Sequence, residues 1–192
     1  MLRTVGELPG LILLALVLAL LIKTFLVQAF YIPSESMEPT LEAGDRVLVS
    51  KVPYWFGEPG RGDIIVFEDP NGGGDVERGL VDGMAHWLFQ GLGVQAPDHE
   101  DFIKRVIGVP GDVVFAKSGE VYVNGNAIHE PYLDGPTRDF RRTKVPEGQL
   151  FVLGDNRSNS LDSRFGLGFV PRRSVIGQGF MIVWPVLRMN TI

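Results

Sequence analysis

The sequence predicts a mostly β protein, an antiparallel β-rich domain of barrel-like or folded sheets that follows one N-terminal transmembrane helix. Short apolar runs of strand length recur along the chain and are separated by turn signals. Glycine and proline are abundant (Gly 24, Pro 13) and are scattered between these runs, which indicates many turns rather than disorder. The dipeptide Asn124-Gly125 lies between two such runs and is the strongest short-range signal for a β-hairpin.

Each predicted strand comes from a local pattern, such as the alternation that places Val47 and Val49 on one face. The predicted strands are Arg46–Val52, Asp63–Phe67, Phe102–Val109, Val113–Ala116, Val121–Val123, Ala127–Ile128, Gln149–Leu153 and Val175–Trp184. Within this part of the chain the best helix signal is Gly83–Leu92, where Met84, Trp87 and Leu88 recur at helical spacing.

The N-terminus divides the chain into an anchor, residues 1–30, and a β-rich domain, residues 31–192. Leu11–Ile22 is apolar without a break and continues beyond Lys23, which gives enough length to cross a bilayer if that lysine extends to an interface. Arg3 precedes the run, which favours a cytoplasmic N-terminus and an extracytoplasmic domain, in a single pass across the cell membrane. The alternative is a secretory signal peptide cleaved after Ala29.

Composition excludes several classes of function. The chain of 192 residues carries a net charge of −5, without the basic balance typical of nucleic-acid binding. It contains no cysteine, which excludes disulfides and thiolate chemistry. The three histidines, His86, His99 and His129, lie in polar or loop-like surroundings and are interpreted as ordinary surface or structural residues, so a Ser-His-Asp triad is disfavoured.

The loop Pro33–Thr40 directly follows the apolar segment and holds two serines between two prolines. Because the residue before a proline avoids helical backbone, Ile32 and Glu38 are predicted to be extended or in turns. A serine fixed in such a loop at a membrane surface, Ser36, is a candidate nucleophile, although loop serines are also common without any catalytic role.

Lys104 lies within the apolar run Phe102–Val109 and is the candidate general base. If its side chain points into the core, burial lowers the pKa of the amine, and a neutral amine can accept the serine proton. The alternative is an exposed lysine on an edge strand, where lysines discourage aggregation. Lys104 and Ser36 are far apart in the sequence, so their spacing does not show whether the two side chains are in contact.

A third segment, Gly154–Arg164, is polar or charged almost throughout and follows the predicted strand Gln149–Leu153. It shows no helix or strand period. Such a loop is either solvated or a hydrogen-bonded network that supports a site.

Together these segments resemble the type I signal peptidases, a family of membrane-bound serine proteases that remove signal peptides from exported proteins. The similar motifs occur in family order and are Pro33–Leu41, Arg61–Phe67, Lys104–Asp112 and Gly154–Arg164. Four such motifs in order after an apolar N-terminus make a chance match negligible.

The resemblance implies a Ser-Lys dyad, with Ser36 as nucleophile and Lys104 as general base. It implies an oxyanion hole formed by the Ser34 hydroxyl and the Ser36 backbone N–H, and Ser160 holding the lysine amine in line. Structural support is implied for Arg105, Asp155, Arg157, Asp162 and Arg164. The implied substrates are preproteins that carry signal peptides, at the lipid bilayer, with no metal or cofactor and an acyl-enzyme intermediate.

Two features depart from the family pattern. Ser158 lies where many relatives carry an acidic residue, which puts in doubt only the ion pair at that position. Residues 68–101 match nothing that can be assigned and are interpreted as a variable insertion. Within it, residues 83–94 either contact the lipid interface through Trp87 or form a helix packed in the core.

Other classes of protein stay open at this stage. Self-cleaving Ser-Lys repressors share the chemistry, but they are soluble and bind DNA. Mitochondrial inner-membrane peptidases are closer relatives of the signal peptidases and are harder to exclude. A non-catalytic, membrane-anchored β domain that binds a partner predicts that Ser36 and Lys104 are far apart or exposed, and an exported binding protein requires loss of residues 1–29.

Overall fold

The structure, a computed structural model, describes residues 10–19, 26–70 and 101–192. The strands are β1 Val27–Tyr31, β2 Arg46–Ser50, β3 Ile64–Glu68, β4 Asp101–Gly108, β5 Val113–Lys117, β6 Glu120–Val123, β7 Asn126–Ala127, β8 Phe140–Lys144, β9 Gln149–Leu153, β10 Val170–Pro171, β11 Val175–Trp184 and β12 Asn190–Thr191. Residues 10–19 and Pro53–Phe56 are helical, and Arg172–Ser174 and Val186–Arg188 are short 3₁₀ turns.

The described strands form two sheets in which all pairs are antiparallel, so the prediction of an antiparallel β-rich fold is confirmed. The larger sheet has the order β1-β2-β11-β3-β4-β9-β10, with β12 paired to β11. The smaller sheet has the order β7-β6-β5-β8. The sequence predicted either a barrel-like domain or folded sheets. Folded sheets describe this arrangement, because the strand order of the larger sheet begins and ends at different strands and does not close into a barrel.

The larger sheet is covered on both faces, which explains why β3 reads as a continuous apolar run. Ile64 and Val66 face one core cluster, with Met37 and Leu41 of the loop after β1, whereas Ile65 and Phe67 face another cluster on the opposite side. A strand buried on both faces needs apolar residues at successive positions rather than alternation. The central strands of this sheet are therefore shielded from solvent on both faces.

The smaller sheet packs against the larger one through a third core cluster. Val114 and Val121 of the smaller sheet join Ile107 and Phe151 of the larger one in that cluster. The predicted hairpin between β6 and β7 is confirmed, and its turn has positive φ at Asn124 (54°) and at Gly125 (86°). That backbone is the type I′ turn for which Asn-Gly is preferred.

The expected N-terminal anchor is described only at residues 10–19 and from residue 26 onward. Residues 10–19 are helical, and the apolar side chains along them are exposed, up to 66% for Ile12. In the described ranges, no helix combines the length and the apolar character that a bilayer span requires. Val27–Tyr31 forms β1, paired residue for residue with β2, so the sheet begins before the predicted boundary at residue 30. Cleavage after Ala29 would divide this strand.

The predictions for the insertion fall largely outside the described residues. These are the helix Gly83–Leu92, the interface role of Trp87 and the assignments of His86 and His99. His129, which is described, is exposed, as predicted for a surface histidine.

Candidate active site

Ser36 lies in the loop between β1 and β2, and the core holds that loop in place. The Glu38 N–H donates to the Glu35 carbonyl at 3.1 Å and closes a turn around the serine, and the Leu41 N–H donates to the Met37 carbonyl at 2.9 Å. The side chains of Met37 and Leu41 are completely buried. Neither Ile32 nor Glu38 is helical, as their positions before proline predicted. Ser36 is thereby held in place and, as a whole residue, is only 8% exposed.

Lys104 approaches Ser36 from β4, a central strand paired with β3 on one side and β9 on the other. The distance from Lys104 Nζ to Ser36 Oγ is 2.7 Å, and Nζ also donates to the Ile103 carbonyl at 2.9 Å. Lys104 is 3% exposed, and its amine lies 5.8 Å from the centre of the Phe102 ring. The alternative of an exposed lysine on an edge strand is therefore wrong.

Burial lowers the pKa of the Lys104 amine from its ordinary value of 10.5 to about 8. The cause is desolvation, because an ammonium group loses its hydration in an apolar environment. Asp162 and Asp155 oppose this effect by raising the pKa. An amine with a pKa of about 8 is neutral in about a tenth of the molecules at pH 7, and this neutral form can accept a proton.

Each of these two carboxylates is paired with an arginine, which limits its attraction for a charged lysine. Arg105 binds Asp155 through two hydrogen bonds, of 2.9 and 2.7 Å. Arg164 binds Asp162 at 2.9 and 2.8 Å, and both of these side chains are fully buried. A carboxylate already neutralised by a guanidinium raises the pKa of a nearby amine less than a free one.

The charged side chains of the segment Gly154–Arg164 form a buried network, whereas Ser158, Asn159 and Leu161 are exposed to solvent. Arg157 extends away from it and binds Glu130 and Thr137 in the connection between β7 and β8. The side chains of Arg157 and Glu130 are only 3% and 6% exposed. Glu130 also accepts a hydrogen bond of 2.7 Å from Tyr132.

Tyr132 in turn lies against Arg105, whose guanidinium is 3.8 Å from the centre of the tyrosine ring. Thr40, in the loop that carries the serine, donates to Asp155 at 2.6 Å. The sequence analysis missed the roles of Glu130, Tyr132 and Thr40. No local signal marks the first two, since their partners come from distant motifs, but Thr40 already lay within the serine motif.

Ser34 and Ser160 occupy different surroundings. Ser34 Oγ lies 3.3 Å from Ser36 Oγ. The Ser160 hydroxyl is buried and makes no hydrogen bond within the described part of the chain, so Lys104 is bonded to Ser36 and Ile103 instead. Gly154 lies between Ser36 and Ser160. A side chain at this position would collide with the Ser160 side chain and with the Ser36 carbonyl. The sequence analysis treated Gly154 only as the start of a motif.

The fold thus brings together the residues that the sequence singled out. A serine hydroxyl in contact with a buried amine of lowered pKa is an arrangement suited to nucleophilic catalysis, with lysine in the place that histidine takes in a triad. The class defined by fold and site is a serine hydrolase on a β scaffold.

Comparison with known proteins identifies the family. The family model for signal peptidases, peptidase S26, matches residues 5–184. A signal peptidase I of Leptolyngbya laminosa is 44% identical, covering 93% of this chain and 79% of that protein. A probable signal peptidase I-2 of Synechocystis is 41% identical, covering 93% of this chain and 72% of that protein.

A solved signal peptidase I from Enterococcus faecalis is 32% identical and covers 64% of this chain and 97% of that chain, with a TM-score of 0.46. The chain belongs to the signal peptidase family S26, as the motif resemblance indicated. It is an enzyme of the signal peptidase I type, a serine endopeptidase.

Proposed function

We propose that this protein cleaves signal peptides from exported precursors through a Ser36–Lys104 dyad. The observation that carries the proposal is the 2.7 Å contact between the Lys104 amine and the Ser36 hydroxyl, both buried. A non-catalytic β domain predicted that these groups are separated or exposed, and the contact argues against that alternative. Membership of the signal peptidase family supports the substrate class.

The proposed reaction begins with a neutral Lys104. Its amine accepts the Ser36 proton while Oγ forms a bond to the scissile carbonyl carbon, and the carbonyl oxygen becomes an oxyanion. Collapse of this intermediate breaks the C–N bond, and the leaving amine takes the proton from Lys104. The acyl-enzyme is then hydrolysed by a water molecule that Lys104 deprotonates.

The oxyanion is proposed to accept hydrogen bonds from the Ser34 hydroxyl and the Ser36 N–H. The proximity of the two hydroxyls, 3.3 Å, supports this role for Ser34. Ser160 is proposed to assist the amine during proton transfer. Its support is a buried hydroxyl without a partner in the described residues, packed on Gly154.

The segment before β1 is proposed to anchor the domain in the cell membrane, with the N-terminus cytoplasmic and the domain outside. The helical residues 10–19 are apolar on every side and exposed, which is the character of a helix in lipid rather than in water. The signal peptide of a precursor would lie in the same bilayer, which brings its cleavage site to the loop after β1.

The test is cleavage of a preprotein by the full chain in detergent. Ser36→Ala and Lys104→Ala are each expected to reduce turnover by roughly 10⁴-fold or more. In residues that act as one catalytic unit, loss of a single member costs about as much as loss of the whole unit. Lys144→Ala, which removes an exposed lysine on β8, is the matched control and should process normally. Processing retained by either dyad variant would refute the dyad, and an inactive wild type would refute the activity.

A further inference from the structure

The peptide unit between Glu35 and Ser36 is held by its carbonyl end. The Glu35 carbonyl accepts one hydrogen bond from the Glu38 N–H within the turn, at 3.1 Å. It accepts a second from the Asn156 side chain, whose Nδ2 lies at 3.1 Å across the site. Two donors from separate segments therefore fix the direction of this carbonyl.

The Asn156 carboxamide is itself held in one orientation. Its Oδ1 accepts hydrogen bonds from the Ser158 hydroxyl at 2.9 Å and from the Asn159 backbone N–H at 3.2 Å. A backbone N–H can only donate, so the oxygen of the carboxamide must face Asn159 and the NH₂ group must face Glu35. The Asn156 backbone N–H also donates to the Ser36 carbonyl at 3.1 Å. Asn156 thus binds the carbonyls on both sides of the Ser36 α-carbon.

A planar trans peptide has its N–H directed opposite to its C=O. Holding the Glu35 carbonyl therefore also fixes the direction of the Ser36 N–H, on the other side of the same peptide. Within the described residues this N–H has no acceptor, so it is free to donate to a substrate. Hydrogen bonds to the carbonyl polarise the peptide and make its N–H a stronger donor.

We propose that the Asn156 carboxamide is a positioning residue for the oxyanion hole, acting through the Glu35–Ser36 peptide. The proposal rests on the proposed function, in which the Ser36 N–H stabilises the oxyanion. Asn156 touches neither the nucleophile hydroxyl nor the base in this arrangement. Its effect is therefore expected in the transition state and not in substrate binding.

The test uses the full chain with Asn156→Ala and Asn156→Asp. Alanine removes the side-chain donor, and aspartate puts a carboxylate oxygen against the Glu35 carbonyl while keeping the size and the backbone bond. Removal of an oxyanion donor costs about 10²–10³ in turnover, and a donor that is present but misdirected should cost less, about 10- to 100-fold in kcat with KM nearly unchanged. The aspartate variant should be the slower of the two.

Asn159→Ala is the matched control, because it removes a side-chain donor to Glu35 without placing a second carboxylate beside it. The Asn159 side chain also binds Glu35, at 3.3 Å, but through the Glu35 carboxylate rather than its carbonyl. The same change there is expected to leave kcat within about twofold, since the peptide plane is untouched. A merely structural role for Asn156 would lower the melting temperature and leave the kcat of the folded fraction unchanged.

A second readout uses a peptide aldehyde ending in alanine, which Ser36 converts to a tetrahedral hemiacetal with its oxygen in the oxyanion hole. Its inhibition constant should rise in the Asn156 variants by the same factor as the loss in kcat/KM. Full kcat in both Asn156 variants beside an active wild type would overturn this inference alone. Inactivity of the wild type would overturn the proposed function and the inference together.

Discussion

Replacing the buried lysine by methionine should make the protein inactive but more stable at neutral pH. Lys104 is 3% exposed, and its pKa is lowered from 10.5 to about 8 by burial. The wild type therefore contains an ammonium group in an unfavourable environment at every pH below about 8. Lys104→Met removes that charge and keeps most of the side-chain volume.

The size of the effect follows from linkage between protonation and folding. A pKa that falls from 10.5 to about 8 corresponds to about 3 kcal/mol, at about 1.4 kcal/mol for each pH unit. Methionine also removes the hydrogen bonds of Nζ with Ser36 and Ile103, each worth about 1 kcal/mol. At pH 7 the variant should thus be more stable by about 1 kcal/mol.

The difference in stability between Lys104→Met and the wild type should change sign at high pH. Between pH 8 and 10.5 the unfolded lysine holds a proton that the folded one has lost, so the stability that Lys104 confers on the wild type rises with pH in this window. Above 10.5 neither state is charged at this position, and the variant should be the less stable protein by about 2 kcal/mol. The other ionisable groups are the same in both proteins, so their contributions cancel in the difference.

The assay is urea unfolding of the full chain in detergent, for wild type and Lys104→Met at pH 7 and pH 10.5. Lys144→Met, at an exposed position on β8, controls for the loss of a lysine and should show a difference that hardly changes with pH. A Lys104→Met variant that is destabilised equally at both pH values would show that the amine is not desolvated. The argument for a neutral lysine base would then fail.

Three further outcomes are expected. First, kcat/KM should rise tenfold per pH unit below about pH 8 and level off above it, because only neutral Lys104 accepts a proton; a limb near 10.5 in a pH–rate profile would contradict this. Second, Gly154→Ala should lower kcat by about 100-fold or more, because the new methyl group collides with the Ser36 carbonyl; normal turnover would show that the loop moves aside without consequence. Third, Glu130→Gln should destabilise the fold by about 3 kcal/mol in a denaturant titration, because it leaves the Arg157 guanidinium buried without a carboxylate; a change below about 0.5 kcal/mol would mean that water replaces the ion pair.

The strands that could be predicted from sequence are those whose apolar pattern reflects burial. β3 and β4 lie in the middle of the larger sheet and carry long apolar runs. β8, Phe140–Lys144, was missed because four of its five residues are polar, and its side chains are exposed or only partly buried. β1 was missed for the opposite reason: its apolar residues continue the N-terminal apolar segment, and only pairing with β2 distinguishes a strand there.

For the site, sequence motifs indicated which residues matter but not how they connect. Ser36 and Lys104 are 68 residues apart, and their contact depends on the register of β4 and on the packing of Met37 beneath the serine loop. The roles of Glu130 and Asn156 depend on where two loops meet. Glu130 lies outside the motifs, and Asn156 lies within Gly154–Arg164 without a feature that separates it from its polar neighbours, so the roles argued for them come from the three-dimensional arrangement.

In the proposed mechanism, the use of lysine as a base requires the surrounding fold as much as the residue. An amine with an ordinary pKa is almost entirely protonated at pH 7, so the fold must remove water from it without supplying an unpaired carboxylate. A central strand covered on both faces removes the water, and pairing of Asp155 with Arg105 and of Asp162 with Arg164 compensates the nearest negative charges. The ion pairs around the dyad therefore do more than brace the loop. By occupying the carboxylates, they leave desolvation as the main influence on the pKa of Lys104, as the proposed activation of Ser36 without histidine requires.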